Sequence, residues 1–142
     1  MNEFKVWMKD YNKFMHKEMA LFGDGSVVVF KEGHFSCILE LGEHNLEVVK
    51  YIGKTDIEGN KIYADSSIVE FDFKGFGETE SAKYKGFIKY NKERFRYDIE
   101  VFSHGDKDGD NYIFDLGKCI HRIENIKIIG TLQENPELLE QS

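Results

Sequence analysis

Cationic and aromatic side chains alternate between residues 83 and 97, a combination that could contact a nucleic acid. Cations pair with backbone phosphates and aromatic rings stack on unpaired bases, and a single-strand binder needs both. This hypothesis assigns the contact to Lys85, Lys89, Lys92, Arg94 and Arg96, beside Lys83 and the rings of Tyr84, Phe87, Tyr90, Phe95 and Tyr97.

The same pattern has a structural interpretation, which we favour. In it the aromatic side chains fill the core, while the cations stay in solvent and deter pairing along a strand edge. Residues two apart on a strand share a face, so Phe95 and Tyr97 fall on one face with Ile99 and Val101. We therefore expect Phe95 and Tyr97 to be buried and unavailable to bases.

Three acidic residues at odd positions, Asp106, Asp108 and Asp110, match the start of a calcium-binding loop. That motif needs a glycine at its sixth position and a bidentate glutamate at its twelfth, where this chain has Asn111 and Gly117. A solvated hairpin tip is therefore the favoured interpretation.

Metal binding and catalysis have weaker support. Cys119 and His121 share a face if their segment is a strand, and His104 could complete three ligands, but the spacing matches no paired Cys or His motif. The chain has no glycine-rich phosphate loop and no nucleophile elbow. We expect no cofactor and no enzymatic activity.

Cys37 and Cys119 are expected to be small buried side chains, since two cysteines cannot form a disulfide framework.

Length and charge limit the possible classes of protein. At 142 residues the chain can bury one core, and we predict a single domain with two lobes, residues 1–53 and 54–142. The formal net charge of −7 repels phosphate backbones on average, so a nucleic-acid contact needs a local basic surface. No apolar run approaches the roughly 20 residues that span a bilayer. The start MNEFKVWMKD also lacks the apolar segment of a secretory signal, so we expect a cytoplasmic protein without a membrane contact.

Short alternating segments separated by glycine-containing turns predict a mainly β protein with antiparallel strands. The central stretch, residues 51–71, joins one strand to a turn at Gly59-Asn60 and then to two further strands. Residues 1–22 are ambiguous because their apolar side chains recur at helical spacing. The two alternatives are an amphipathic helix and a hairpin with Phe4–Met8 and Phe14–Leu21 as its strands, and in either one we expect Trp7 in the core.

The two lobes are predicted to differ in architecture. The first is an N-terminal β meander, and the second is a small SH3-like or related barrel. Tyr84–Tyr90 and Phe95–Phe102 form the long hairpin of the second lobe. Asn135 suits a helix N-cap, and a short C-terminal helix, Pro136–Glu140, would cover an open sheet edge with Leu138 and Leu139.

Three segments carry a family resemblance. The central one reads YIGKTDIEGNKIYADSSIVEF over residues 51–71, the last reads IIGTLQENPELL over 128–139, and the first reads FKVW over 4–7. Together they resemble the YopX family of phage and prophage proteins. Members of that family often have a turn after the tryptophan, so the resemblance makes us favour the hairpin for residues 1–22. Two departures stand out: ADSS at 64–67 replaces the usual, shorter E-G-D, and TLQ at 131–133 replaces N-I-Y.

The resemblance implies a phage-encoded or prophage-encoded protein of the bacterial cytoplasm, from a family without an assigned activity. It therefore transfers no catalytic residue to this chain. Our leading hypothesis is a non-enzymatic accessory or interaction protein, whose sheet edges and Gly75–Ser81 loop contact another protein or a second copy. The alternative is a nucleic-acid-binding module that uses the hairpin at residues 83–97. A third hypothesis, an acidic surface that mimics DNA, is favoured by the net charge alone.

Overall fold

The computed structural model describes residues 4–15, 18–21, 27–31, 34–39, 46–75, 80–104 and 112–140. It confirms the predicted fold class, because the protein is mainly β, with antiparallel sheets, a curled half-barrel sheet and a short C-terminal helix. The chain divides into two compact units, Met1–Lys50 and Tyr51–Ser142. The single two-lobed domain stays a prediction. No helix in the described ranges is long and apolar enough to cross a membrane.

In the first unit the N-terminal strands form a hairpin and not a helix. Strand β1 (Phe4–Met8) pairs antiparallel with β2 (Lys13–Phe14) and, on its other side, with the first residues of β6 (Leu46–Thr55). A separate antiparallel sheet consists, in order, of β3 (Glu18–Leu21), β4 (Val27–Lys31) and β5 (His34–Leu39). The hairpin that we favoured for residues 1–22 is confirmed for the part that the structure describes.

Trp7 and Asn12 explain why the hairpin forms. The Trp7 ring is 5 % exposed and meets the ring of its cross-strand partner Phe14 edge-on, with 4.8 Å between centroids. Asn12 has a φ of 53°, and this left-handed conformation is incompatible with a right-handed helix. Apolar side chains at helical spacing are therefore also compatible with a two-stranded hairpin. The left-handed conformation of Asn12 excludes the continuous helix. Trp7 is a core residue, as predicted.

The second unit begins in the second half of β6, which pairs with β7 (Lys61–Tyr63). One antiparallel sheet follows, made of β8 (Ser67–Phe73), β9 (Ala82–Asn91), β10 (Arg96–His104), β11 (Tyr112–Asp115) and β12 (Ile123–Thr131). Its spatial order is β11-β10-β9-β8-β12. Helix α1 (Leu116–Cys119) and a 3-10 turn (Ile120–Arg122) connect β11 to β12, and a 3-10 helix (Pro136–Glu140) follows.

The two faces of this five-stranded sheet differ in polarity because strand residues alternate between them. On one face the side chains pack with Ile62, Ala64 and Leu116 into a buried cluster that contains Val69, Phe71, Phe73, Ile88, Ile99 and Val101. The other face carries charged residues from β8, β9 and β10, such as Glu70, Lys83 and Glu100. The charged face is the one that carries most of the predicted basic residues.

The C-terminal 3-10 helix has the predicted bounds but a different cap. The sequence predicts that Asn135 accepts a hydrogen bond from the first turn of the helix. Its side-chain oxygen instead accepts from the backbone N–H of Thr131, at 3.2 Å. Leu138 packs closely against Gly130. A Cβ added to Gly130 would stand only 2.8 Å from Cδ1 of Leu138. Since a Cβ projects out of the plane of its sheet, Leu138 packs over a face of β12, which is an edge strand. Coverage of the open edge stays a prediction.

Asp56, a buried carboxylate, links the turn before β7 to β12. Its side chain is 6 % exposed and accepts hydrogen bonds from the backbone N–H groups of Glu58 and Asn60, both at 2.9 Å, and of Ile128, at 3.1 Å. Burial raises the pKa of the Asp56 carboxyl, but these hydrogen bonds lower it by more, so the pKa lies below its ordinary value. The charged form of Asp56 therefore holds a turn and a distant strand together.

Asp56→Asn tests this link. The amide keeps one acceptor but turns an NH₂ donor toward a backbone N–H, so we expect the free energy of unfolding at pH 7 to fall by about 1–3 kcal/mol. Because the folded-state pKa is lowered, the stabilisation exists above the unfolded-state pKa and is lost as the pH falls through the folded-state value. Urea unfolding at pH 7 and at about pH 3 should show the wild-type advantage shrinking at the lower pH.

Asp72→Asn is the matched control, because the Asp72 side chain accepts from the Asn125 side chain at 2.9 Å in an exposed position. Its effect should be within about 0.5 kcal/mol of zero. Equal losses in the two variants, or a wild-type advantage that does not change with pH, would contradict the role of Asp56.

Gly86, at the centre of β9, is predicted to be intolerant of any side chain. A Cβ there would stand 2.7 Å from the backbone oxygen of Glu100 and 2.8 Å from Cγ2 of Ile99. We expect Gly86→Ala to lower the free energy of unfolding by about 1–3 kcal/mol, since the backbone oxygen can move only with its strand. In Gly117→Ala, the control, the nearest described atom would be Asp115 Oδ1 at 3.4 Å. Chemical denaturation that ranked the two variants equally would contradict this account.

Candidate functional site at the tip of the β9–β10 hairpin

The cations on the charged face of the sheet are largely paired with neighbouring carboxylates. Lys83 Nζ lies 3.2 Å from Glu70, and Lys89 Nζ lies 3.4 Å from Glu100. Arg96 contacts two carboxylates. Its Nε lies 2.8 Å from Asp98 Oδ1, and its Nη1 lies 3.3 Å from Asp115 Oδ2. Each pair reduces the positive potential that a phosphate would meet, so this face is a weaker nucleic-acid surface than its sequence indicates.

The remaining predicted contacts are Lys85, Lys92 and Arg94, and within the described residues none of them pairs with a carboxylate. Lys85 is half-buried in β9, whereas Lys92 and Arg94 are exposed in the turn between the strands. The five predicted residues therefore separate into two paired cations, one cation within the strand and two at the hairpin tip.

The structure corrects the prediction for Phe95. We expected its ring to be buried with Tyr97, but it is 84 % exposed. The reason is that β10 starts at Arg96, and Phe95 ends the turn with a φ of 52°. This left-handed residue breaks the strand alternation, so Phe95 does not share the face of Ile99. Tyr97 is half-buried and packs against Tyr90, with 5.4 Å between ring centroids.

Hydrogen bonds from the strands hold the tip, which we define as residues 92–95. The Asn91 side-chain oxygen accepts from the backbone N–H groups of Glu93, at 3.1 Å, and Arg94, at 3.2 Å. The Asn91 amide nitrogen donates to Asp98 Oδ2 at 3.0 Å. Asp98 is 3 % exposed and also accepts from Arg96 Nε, at 2.8 Å. The tip is therefore fixed through Asn91 to the ion pair of Arg96 with the buried Asp98, which the sequence pattern did not reveal.

The conformation of Phe95 costs stability. A left-handed backbone is unfavourable by roughly 1–2 kcal/mol for a residue with a Cβ, and Asn and Asp tolerate it best. Within the described residues, the other non-glycine positions with positive φ are Asn12, Asp65 and Asn125. A ring that stays 84 % exposed also gains little from folding. The tip thus presents an aromatic side chain that the fold itself does not use.

The hairpin also borders a groove of about 600 Å³. Its lining carries two cations, Lys89 and Lys92, and the carboxylates of Asp65, Glu93, Asp98 and Glu100. Because the carboxylates outnumber the cations, this surface does not attract a phosphate backbone.

Comparison with known proteins assigns the chain to a family. The family model for the YopX protein matches residues 3–140. The chain belongs to the YopX family. This confirms the resemblance read from residues 4–7, 51–71 and 128–139. No curated protein matches this chain.

The most distinctive departure from the YopX pattern, at residues 64–67, is accommodated by an unusual backbone. Asp65 takes a φ of 60° in the turn between β7 and β8. Its backbone N–H donates to the Ile88 carbonyl at 2.8 Å, and its carboxylate accepts from the Tyr90 N–H at 3.3 Å. Residues 64–67 therefore form a tight turn with an aspartate in the left-handed position.

The other predicted sites find no support among the described residues. The Asp106–Asp110 turn lies outside them, as do residues 76–79 of the Gly75–Ser81 loop and the side chains of Cys37 and His104. The condition for Cys119 and His121 to share a strand face is not met, since they lie in α1 and the following 3-10 turn. Within the described ranges no group of His, Cys, Asp and Glu could hold a metal ion. Cys119 is half-buried, and burial is the main cause that raises the pKa of its thiol.

Asn91→Ala tests whether the Asn91 side chain fixes the tip. Two backbone N–H groups lose their acceptor and Asp98 loses a donor, so we expect a loss of about 1–2 kcal/mol in the free energy of unfolding. Amide hydrogen exchange at Glu93 and Arg94 should accelerate by about tenfold or more. Lys92→Ala, in the same turn, is the control and should leave both quantities unchanged. Unaltered exchange in Asn91→Ala would show that the tip is held by something else.

Proposed function

We propose that this YopX chain is a non-enzymatic accessory protein that acts by contacting another protein through the tip of the β9–β10 hairpin. We further propose that it is encoded by a phage or prophage and works in the cytoplasm of the bacterial host. The observation that carries the proposed contact is Phe95, which is exposed and held in a left-handed conformation in a turn that Asn91 links to the Asp98–Arg96 ion pair.

The chemistry of the tip supports a protein partner. Aromatic and arginine side chains provide much of the binding energy at protein interfaces, and the tip offers both in Phe95 and Arg94. The hydrogen bonds from Asn91 fix the backbone before any partner arrives. Less conformational entropy is then lost on association, which favours tight binding through a small contact.

Nucleic-acid binding is the second candidate, and one observation favours it. Lys92 and Arg94 flank an exposed ring that could stack on a base. Against it, Lys89 and Arg96 already pair with Glu100, Asp98 and Asp115. Two cations are a small electrostatic contribution to the affinity of a chain whose net charge is −7.

A co-purification experiment distinguishes the two candidates. The tagged chain is expressed in bacterial cells that carry the gene in its native setting, and complexes are isolated with and without nuclease. We expect a protein complex that survives nuclease, is lost with Phe95→Ala and is retained with Tyr11→Ala. Tyr11 is a matched control because it is an aromatic side chain that is 72 % exposed, in the first unit.

Anisotropy measurements with a labelled single-stranded oligonucleotide complete the test. We expect no salt-sensitive binding to the wild-type chain. Binding that falls steeply with salt and is lost with Arg94→Glu would support the second candidate instead. Arg94 is the residue to change, because substituting Arg96 would also break its ion pairs with Asp98 and Asp115.

A further inference from the structure

We infer that the partner protein offers an apolar socket bordered by carboxylates, into which Phe95 inserts while Lys92 and Arg94 pair with the border. This inference rests on the proposed function and specifies its partner surface. The partner is a protein other than this chain.

The apolar character of the socket follows from Phe95. Its ring is 84 % exposed and projects from a turn whose backbone is fixed by Asn91. Transfer of an aromatic ring from water into an apolar pocket is favourable in proportion to the area removed from water. A ring that is already held outside the fold gains this free energy without any rearrangement of the chain.

The acidic border follows from the distribution of charge. The tip carries two cations, Lys92 and Arg94, and one carboxylate, Glu93, on a chain whose formal net charge is −7. Within the described residues neither Lys92 nor Arg94 pairs with a carboxylate of the same chain. An acidic partner surface is therefore repelled by the chain as a whole and attracted by the tip, which orients the encounter.

The apolar groove in the second unit does not provide such a socket in a second copy of the chain. The second unit has an apolar groove of about 300 Å³ lined by Ile52, Tyr97, Leu116 and Ile120. Its charged lining consists of Lys54 and Arg96 with Asp115, and Asp115 is already paired with Arg96. This border is cationic, so it would repel Lys92 and Arg94 instead of binding them.

The backbone of Phe95 makes a test possible that separates binding from folding. Glycine adopts a positive φ without the steric penalty that any Cβ incurs. Phe95→Gly should therefore raise the melting temperature by about 2–5 °C, while it removes the ring. A variant that is more stable and binds more weakly cannot owe its loss of binding to unfolding.

Photo-crosslinking identifies the partner surface. The full chain carrying p-benzoylphenylalanine in place of Phe95 is expressed in cells that carry the gene, irradiated and digested for mass spectrometry. The same group in place of Tyr11 is the control. We expect a crosslink from position 95, absent from position 11, to apolar residues of a different protein that have Asp or Glu beside them.

Binding of the purified partner is then measured with the variants. We expect the Kd to rise at least 100-fold with Phe95→Gly and about tenfold with Arg94→Glu, whose association should also depend less on salt. Glu93→Ala should not weaken binding, because Glu93 has the same sign of charge as the border.

The outcomes separate this inference from the proposed function. A crosslink to nucleic acid, to a second copy or to a surface without carboxylates overturns the inference, and so does wild-type affinity in Phe95→Gly. If a nuclease-resistant partner still co-purifies in those cases, protein binding stands and only the socket is wrong. If no partner co-purifies, the proposed function itself fails. A melting temperature that does not rise in Phe95→Gly overturns the assignment of strain to Phe95.

Discussion

The ion pair between the buried carboxylate of Asp98 and the half-buried Arg96 is the contact on which the tip of the hairpin depends. A carboxylate that is 3 % exposed would be costly without partners, and Arg96 and the Asn91 amide supply them at 2.8 and 3.0 Å. Arg96 reaches on to Asp115, so the same cation joins β10 to β11. Removal of any one partner would leave another charge or donor unsatisfied. The position of β11 and the rigidity of the tip therefore have a common cause.

This network also explains why the composition of residues 83–97 overstates the positive charge that the folded hairpin presents. By sequence, residues 83–97 form a continuous basic and aromatic segment. In the fold, pairing across strands brings Glu70 to Lys83 and Glu100 to Lys89, so much of the positive charge is neutralised along the sheet. The unpaired part is concentrated at the turn, where no strand lies opposite. A segment that looks like an extended binding face thus becomes a neutralised sheet with a small cationic tip.

Local patterns predicted the features that depend on local chemistry. Alternation and turn residues give the strands of the long hairpin and the bounds of Pro136–Glu140. The N-terminal hairpin was favoured by the family resemblance, and the YopX signature is confirmed over residues 3–140. The features that were missed depend on side-chain partners or on a turn that shifts the alternation. Asp98 alternates with core residues along β10, yet its contacts with Arg96 and Asn91 allow it to be buried. Phe95 was misplaced because a left-handed residue cannot be read from a periodicity of two.

The left-handed residues of the fold give the strongest reason to regard Phe95 as functional. At Asp65 and Asn125 the side chain compensates for the backbone, since the Asp65 carboxylate accepts from the Tyr90 N–H and the Asn125 amide donates to Asp72. Phenylalanine has no polar group with which to compensate, and its ring is not buried. Any Asn, Asp or Gly would serve the turn better. Phe95 is therefore unfavourable for the fold in both its backbone conformation and its exposure. A contact with another molecule best explains why it is there, because strain that folding does not need is commonly retained at functional sites.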